Sequence, residues 1–186
     1  HYLGRYTITH NGEIYNYTEL RDELIQKGYS FHSQSDTEVI LAAYDCWKER
    51  CLQYFDGMFS FALWDDTDQC LFAARDRFGE KPFHYSVKEN SFYFSSEMKA
   101  LWAAGVERKL INSRLLNYLT IGWIENPADA SETFFENIYT LPPSHYLYFR
   151  PGNVNAVIKK YWSLETNQQR EMDEAIAIDK FRALFT

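Results

Sequence analysis

Several features that often reveal a protein's function are scarce in this chain of 186 residues. Its three cysteines, Cys46, Cys51 and Cys70, have neither the C-x-x-C spacing of a zinc site or redox pair nor an even count. Reduced thiols and a cytoplasmic location are therefore expected. Cys46 and Cys51 lie five residues apart on a helical pattern and point in different directions, and we expect none of the three to be a nucleophile.

Other absences narrow the function further. No stretch approaches the roughly 18 uninterrupted apolar residues of a membrane span. Lys+Arg number 19 against 26 Asp+Glu, for a net charge of −7 without a basic run, which argues against a nucleic-acid or anionic-membrane partner. His32, His84 and His145 are scattered without ligand spacing, so no metal is expected in this domain. A glycine-rich phosphate loop is also absent, so any ATP is expected to bind outside these residues.

The sequence has ample material for a folded core, since 46% of its residues are hydrophobic and 18% aromatic. A first helix is predicted from Asn16, with an apolar face of Tyr17, Leu20 and Leu24 and an end at Gly28. A brief strand is predicted over residues 29–32. A second helix is predicted over about 36–50, because Ser35 and the glutamate three residues later form a capping-box pattern.

The middle of the chain is dominated by apolar runs typical of strands. They cover residues 58–64, 70–74, 83–86 and 92–95, with turn-forming residues between them. The first run is apolar almost throughout, which indicates that both of its faces are covered. Two stacked sheets with outer helices satisfy that requirement. Beyond them a short helix is predicted over 112–119 and a hairpin over 148–161.

Residues 11–16, Asn-Gly-Glu-Ile-Tyr-Asn, form the most informative motif. An amide-cleaving enzyme must stabilise a developing oxyanion, and the side-chain amide of Asn11 beside the unhindered N–H of Gly12 supplies two suitable donors. Taken alone, Asn-Gly is also the strongest short signal of a type I′ hairpin turn.

Four more motifs follow in order, at residues 35–38, 56–62, 75–82 and 96–101. Together with residues 11–16 they resemble the glutaminase domain of glutamine-hydrolysing asparagine synthetases. These are class II glutamine amidotransferases of the N-terminal-nucleophile hydrolase superfamily. The resemblance implies an α+β fold, a four-layer αββα sandwich. It predicts a domain over residues 1–162 that is incomplete at its N-terminus, a linker over 163–172, and the start of an ATP-dependent synthetase domain over 173–186.

The resemblance also assigns roles to four residues. It implies that Asn11 and Gly12 form the oxyanion hole and that Glu13 contacts bound glutamine. It further implies that Asp36 binds the substrate α-ammonium, which suits a carboxylate because an ionised carboxylate offers only acceptors. Without the resemblance, Asp36 reads as an acidic residue that complements a helix dipole. The charged loop over residues 75–82 is predicted to be structural.

One element of the family pattern is not found. These enzymes use an N-terminal cysteine whose α-amino group is the base, whereas this chain begins with His1, which offers no hydroxyl or thiol. We therefore expect a fragment that is inactive alone. The glycine of a Leu-Pro-Pro-Gly-His stretch that closes the domain in the family is replaced here by Ser144.

For the intact protein, the resemblance implies that glutamine is hydrolysed to glutamate and ammonia. It implies that Mg-ATP and aspartate bind in the missing domain, where ammonia yields asparagine. A homodimer is left open. Two alternatives also stay open: amidation of another acceptor, such as a sugar acid or a surface-polysaccharide precursor, and a non-catalytic module in which Asn11 and Asp36 are only turn and cap.

Overall fold

Two antiparallel sheets and five α-helices make up the computed structural model, which describes residues 2–88, 90–153, 155–164 and 173–184. The strands are β1 (Tyr6–Ile14), β2 (Gly57–Asp65), β3 (Cys70–Arg75), β4 (His84–Lys88), β5 (Ser91–Ser95), β6 (Tyr139–Thr140), β7 (His145–Phe149) and β8 (Val157–Lys160). The α-helices are α1 (Tyr17–Gln26), α2 (Asp36–Trp47), α3 (Met98–Ala103), α4 (Asn112–Ile121) and α5 (Glu174–Leu184), and a 3-10 helix covers Lys48–Gln53.

The larger sheet has the order β1-β2-β3-β7-β8, and the smaller has the order β5-β4-β6. Alternation along the strands of the larger sheet sends successive side chains to opposite faces. On β2, Phe59, Phe61 and Leu63 pack in a cluster with residues of α1 and α2, whereas Ala62 packs in a separate cluster with residues of the smaller sheet. Both faces of β2 are therefore covered, as its apolar run predicts.

Three hydrophobic clusters define four layers. The first lies between α1 and α2 and the larger sheet, and the second lies between the two sheets. A third joins Leu101 and the half-buried Met98 and Trp102 of α3 to Tyr93 of β5. The layers thus run helix, sheet, sheet, helix, and the predicted αββα sandwich is confirmed.

The Asn-Gly dipeptide lies in the interior of a strand. β1 pairs with β2 along its whole nine-residue length, with Asn11 opposite Ser60 and Gly12 opposite Phe59. The hairpin-turn interpretation of this dipeptide is therefore wrong. Glycine occurs at position 12 for a different reason, because backbone atoms of β2 lie where its side chain would otherwise be.

The strand predicted over residues 29–32 is also wrong. Residues 29–35 are irregular, and the buried carboxylate of Glu38 accepts hydrogen bonds from the backbone N–H groups of His32 and Ser33 at 2.8 Å. The side chain of Glu38 thus binds the loop before α2. In the predicted capping box, this side chain would instead bond to Ser35. Ser35 does cap α2, because its Oγ accepts from the N–H of Thr37 at 3.1 Å.

The second helix ends earlier than the predicted residue 50. α2 ends at Trp47, and Lys48, which has a φ of 53°, begins the 3-10 helix. The first helix follows its prediction closely, with Leu20 and Leu24 buried. Its N-cap, Asn16, bonds instead to the segment before β2, donating to Tyr54 O and accepting from Asp56 N.

The charged loop after β3 has the structural role predicted for it. Asp76 is buried and accepts hydrogen bonds from the N–H groups of Phe78, Glu80 and Lys81, each at 3.0 Å. Ser144 has a φ of 64°, and its Oγ donates to Arg77 O at 2.8 Å. A positive φ favours glycine, the residue that the resemblance predicts at this position.

The end of the chain is described in part. The predicted linker over residues 163–172 lies largely outside the described residues, which stop at 164 and resume at 173. α5 follows, with Ile176 and Phe181 exposed. The predicted domain boundaries stay predictions.

Candidate functional site

A surface groove lies where the end of β1 meets the start of α2. It has a volume of about 330 Å³ and is lined by Gly12, Glu13, Tyr17, Gln34, Ser35 and Asp36. Three of the four residues predicted for the site, Gly12, Glu13 and Asp36, therefore come together although Gly12 and Asp36 are far apart in sequence. The pairing of β1 with β2 fixes one wall, and the cap of α2 fixes the other.

Asp36 is the first residue of α2 and joins the two walls. Its Oδ2 accepts a hydrogen bond from the backbone N–H of Ile14 at 3.0 Å, and its side chain is 18% exposed. The carboxylate is thus held in one orientation with part of its surface facing solvent. Its remaining acceptor capacity is available to a donor in the groove.

Gly12 lies against the backbone of β2. A Cβ atom at this position would lie 2.0 Å from Met58 O and 2.7 Å from Phe59 Cα, and the φ of Gly12 is 133°. Both the contact and the dihedral angle require glycine. Gly12 is itself exposed and borders the groove.

The side chain of Asn11 lies outside this groove. It lines a smaller cavity of about 190 Å³ between the two sheets, together with Thr9, Ser60 and Ser96. Its Nδ2 donates to Ser96 Oγ at 3.0 Å. Since an amide nitrogen carries two hydrogens, one N–H of Asn11 has Ser96 as its acceptor and the second is not assigned by this contact.

The charges of the groove favour a cationic group. Its described lining includes two carboxylates, those of Glu13 and Asp36, and no lysine or arginine. A ligand with an ammonium group is therefore better suited to this end of the groove than an anion.

Two residues beside the groove, His10 and Thr37, are not among the predicted site residues. His10 Nδ1 lies 3.1 Å from Thr37 Oγ1 and 4.0 Å from Asp36 Oδ2. The sequence does indicate where His10 lies. Side chains alternate between the two faces of a strand, and His10 is an even number of positions from Tyr6, Ile8 and Ile14, so it lies with them on the apolar face of β1.

The cysteines lie away from the groove. Cys46 is on α2, Cys51 is on the 3-10 helix and Cys70 is on β3, and none lines it. Burial raises the pKa of both the Cys51 and the Cys70 thiols, which disfavours their nucleophilic thiolate forms.

Neither a metal centre nor a membrane span emerges from the described residues. Within residues 2–88, 90–153, 155–164 and 173–184, no group of three or more His, Cys, Asp or Glu side chains is arranged to hold a metal ion. The helices in the same part of the chain are all too short or too polar to cross a bilayer.

Known proteins share both the sequence pattern and the fold. Residues 2–162 match the family model of the glutamine amidotransferase domain. The chain is 38% identical over 182 residues to asparagine synthetase [glutamine-hydrolyzing] 3 of Bacillus subtilis, covering 97% of this chain and 28% of that protein. It is 35% identical over 155 residues to amidase chry2 of Gibberella zeae, covering 83% of this chain and 22% of that protein.

A solved structure shows the same fold at low identity. Glutamine phosphoribosylpyrophosphate amidotransferase of B. subtilis superposes with a TM-score of 0.59 at 17% identity, covering 83% of this chain and 29% of that chain. This match confirms the predicted fold of the N-terminal-nucleophile type. The present chain spans less than a third of each of these three proteins. Its ordered motifs, its four layers and the family match over residues 2–162 together show that the chain belongs to the glutamine amidotransferase domain family.

Proposed function

We propose that this chain is the glutaminase domain of an asparagine synthetase, and that it binds glutamine in the groove between β1 and α2. The observation that carries the proposal is the convergence of Gly12, Glu13 and Asp36 on one groove. The groove has a fixed carboxylate for an ammonium group and an exposed strand backbone beside it. Glutamine carries an α-ammonium at one end and a reactive amide at the other, which matches this arrangement.

In the proposed complex, Asp36 accepts hydrogen bonds from the α-ammonium and Glu13 contacts the bound substrate. The Gly12 N–H and the Asn11 side-chain amide donate hydrogen bonds to the carbonyl oxygen of the substrate amide, which becomes the oxyanion when the amide carbon is attacked. The Asn11 amide must then approach that oxygen from the side of β1 opposite the groove. On that side its Nδ2 donates a hydrogen bond to Ser96 Oγ.

The reaction proposed for the intact protein proceeds in two steps. A thiolate attacks the side-chain amide carbon of glutamine, a C–S bond forms, the C–N bond breaks, and the nitrogen takes up a proton and leaves as ammonia. Water then cleaves the thioester to give glutamate and to restore the thiol. Because the cysteines of this chain lie away from the groove, we assign the attacking thiol to none of Cys46, Cys51 or Cys70.

The acceptor of the ammonia is proposed from the similarity to asparagine synthetases. In the intact protein, Mg-ATP activates aspartate outside these residues, and ammonia converts it to asparagine. A second candidate is a glutaminase that serves another acceptor. The match to a protein named as an amidase favours it, because a related domain occurs in a protein that is not named as an asparagine synthetase.

The test is product formation by the full-length gene product given glutamine and aspartate, with and without Mg-ATP. Glutamate in both cases, and asparagine only with Mg-ATP, supports the synthetase. Glutamate without asparagine supports the second candidate. If neither product forms in a protein shown to be folded, the glutaminase assignment is wrong.

A further inference from the structure

His10 is a buried histidine directly behind the carboxylate of the proposed ammonium site. Its side chain is 5% exposed and faces α2 from the strand that carries Gly12. The Nδ1 atom lies 3.1 Å from Thr37 Oγ1 and 4.0 Å from Asp36 Oδ2. A polar side chain on this apolar face is costly to bury unless it has a partner, so its contact with the start of α2 is the stabilising one.

The contacts of Thr37 favour one form of the His10 ring. Thr37 Oγ1 donates to Asp36 Oδ1 at 3.4 Å, a long and weak contact that uses the single hydroxyl proton. With that proton directed at Asp36, the Thr37 oxygen can accept, and we assign His10 the tautomer in which Nδ1–H donates to it. In this tautomer Nε2 is an unprotonated nitrogen, and it is buried with no hydrogen-bond partner among the described residues.

The surroundings favour the uncharged ring. A second proton on Nε2 would bury an N–H without an acceptor, which costs free energy. Burial lowers the pKa of His10, while the nearby Asp36 charge acts in the opposite direction. On β2 the residue opposite His10 is Phe61, which has no charge. On α2, Glu38 is bonded to His32 and Ser33, so Asp36 is the charge that acts on His10.

We propose that His10 is a positioning residue for the substrate ammonium, which rests on the glutamine site proposed above. While uncharged, His10 holds Asp36 through Thr37 and leaves the carboxylate charge to the substrate. Once protonated, His10 competes with the substrate ammonium for Asp36. The affinity for ligands with an α-ammonium therefore falls as the pH decreases through the titration of His10.

The probe for the test is L-glutamate, which has the α-ammonium but no amide to hydrolyse. Glutarate lacks the ammonium and is the control ligand. Dissociation constants are measured by calorimetry on the full-length protein between pH 5.5 and 8, above the usual range of carboxylate titration. For the wild type we expect the affinity for L-glutamate to fall by up to about tenfold per pH unit below the His10 pKa, and that for glutarate to change little.

Two variants separate positioning from folding. His10→Asn keeps an amide N–H near the position of Nδ1 but cannot titrate, and we expect it to lose the pH dependence while its affinity at pH 8 stays within about threefold of wild type, a difference of under about 1 kcal/mol. Thr37→Val cuts the link to Asp36 and keeps His10, so it should weaken binding at pH 8 and retain the pH dependence. It also provides the test if His10→Asn does not fold.

His84→Asn is the matched control, because burial also lowers the pKa of His84, which lies on β4 away from the groove. It should keep the wild-type pH profile. The proposal is overturned if His10→Asn keeps that profile, if His84→Asn loses it, or if the wild type has none. Asp36→Asn distinguishes failure of the glutamine site from failure of the positioning role. If this variant binds L-glutamate with unchanged affinity, the glutamine site itself is wrong. If it binds more weakly but the pH profile does not depend on His10, only the positioning role is wrong.

Discussion

At the scale of single residues, Gly12 is required by the space around it. Because a Cβ would lie 2.0 Å from Met58 O, Gly12→Ala must push β1 away from β2. We expect it to lower the free energy of unfolding by about 3 kcal/mol or more, at the upper end for single substitutions. Urea denaturation measures this loss.

Gly28 provides the control for Gly12. It also has a positive φ, 94°, but a Cβ there would meet no heavy atom within 4 Å. Gly28→Ala should cost only the strain of a left-handed backbone, about 1–2 kcal/mol. Equal losses in the two variants would show that steric contact with β2 is not what selects glycine at position 12.

Substitution of Asn11 tests its proposed role in the oxyanion hole. In the full-length enzyme, Asn11→Ala should lower the kcat for glutamine hydrolysis by about 10²–10³, as loss of one oxyanion donor does, with little change in KM. Thr9→Ala alters the same inter-sheet cavity without removing a donor proposed for the oxyanion, and it should retain nearly wild-type turnover. Near-normal hydrolysis by Asn11→Ala would remove Asn11 from the oxyanion hole.

The sequence predicts residue types at the site better than it predicts their placement. Gly12, Glu13 and Asp36 could be named because each belongs to a recognisable motif. The position of the Asn11 side chain could not, because it follows from strand alternation and from Ser96, which is distant in sequence. His10 was missed because the dipeptide after it dominates the motif, although its place on the apolar face of β1 marks it.

At the scale of secondary-structure elements, one ion pair ties the start of β1 to the turn between β2 and β3. Arg5 Nε and Nη2 donate to the two carboxylate oxygens of the buried Asp65 at 2.7 Å each. Burial alone would raise the pKa of Asp65, but hydrogen bonds from Arg5, Asp68 N and Thr67 N outweigh it, and the net shift is downward. The ion pair therefore favours the folded state while Asp65 is ionised.

This shift predicts a pH-dependent effect of Asp65→Asn. Because the folded pKa is depressed, the stabilisation is fully present above the unfolded value of about 3.9 and is lost as the pH falls through the lower folded pKa. We expect Asp65→Asn to lower the free energy of unfolding by about 2 kcal/mol at pH 5 to 7. That difference should shrink by pH 3, as followed by urea denaturation at each pH.

Asp22 on α1 is exposed and serves as the control, so Asp22→Asn should have little effect at any of these pH values. A deficit in Asp65→Asn that persists undiminished at pH 3 would mean that packing, and not ionisation, makes Asp65 important.

Element prediction succeeded where the pattern is local and failed where distant contacts decide. The strands β2, β3, β4 and β5 lie within two residues of their predicted bounds, since each is an apolar run between turns. The predicted strand at residues 29–32 is irregular because Glu38 takes the N–H groups of His32 and Ser33. The early end of α2 at Trp47 coincides with the positive φ of Lys48, which no sequence signal marked.

At the scale of the whole molecule, the site residues come from different layers of the sandwich. β1 lies at the edge of the larger sheet, α2 packs on one of its faces, and the end of β5 faces the other, with Ser96 just beyond. Stacked sheets were predictable from the apolarity of β2, but the order of the strands was not, because the pairing of β3 with β7 joins segments distant in sequence.

The measurement that tests the proposed site most directly is a crystal structure of the full-length protein with bound glutamine, its thiol nucleophile substituted to prevent hydrolysis. We expect the α-ammonium to lie within hydrogen-bond distance of Asp36, in the groove formed by β1 and α2. The side-chain carbonyl should face Gly12 N and Asn11 Nδ2. Glutamine bound at another surface, or in this groove with its ammonium away from Asp36, would contradict the proposed site.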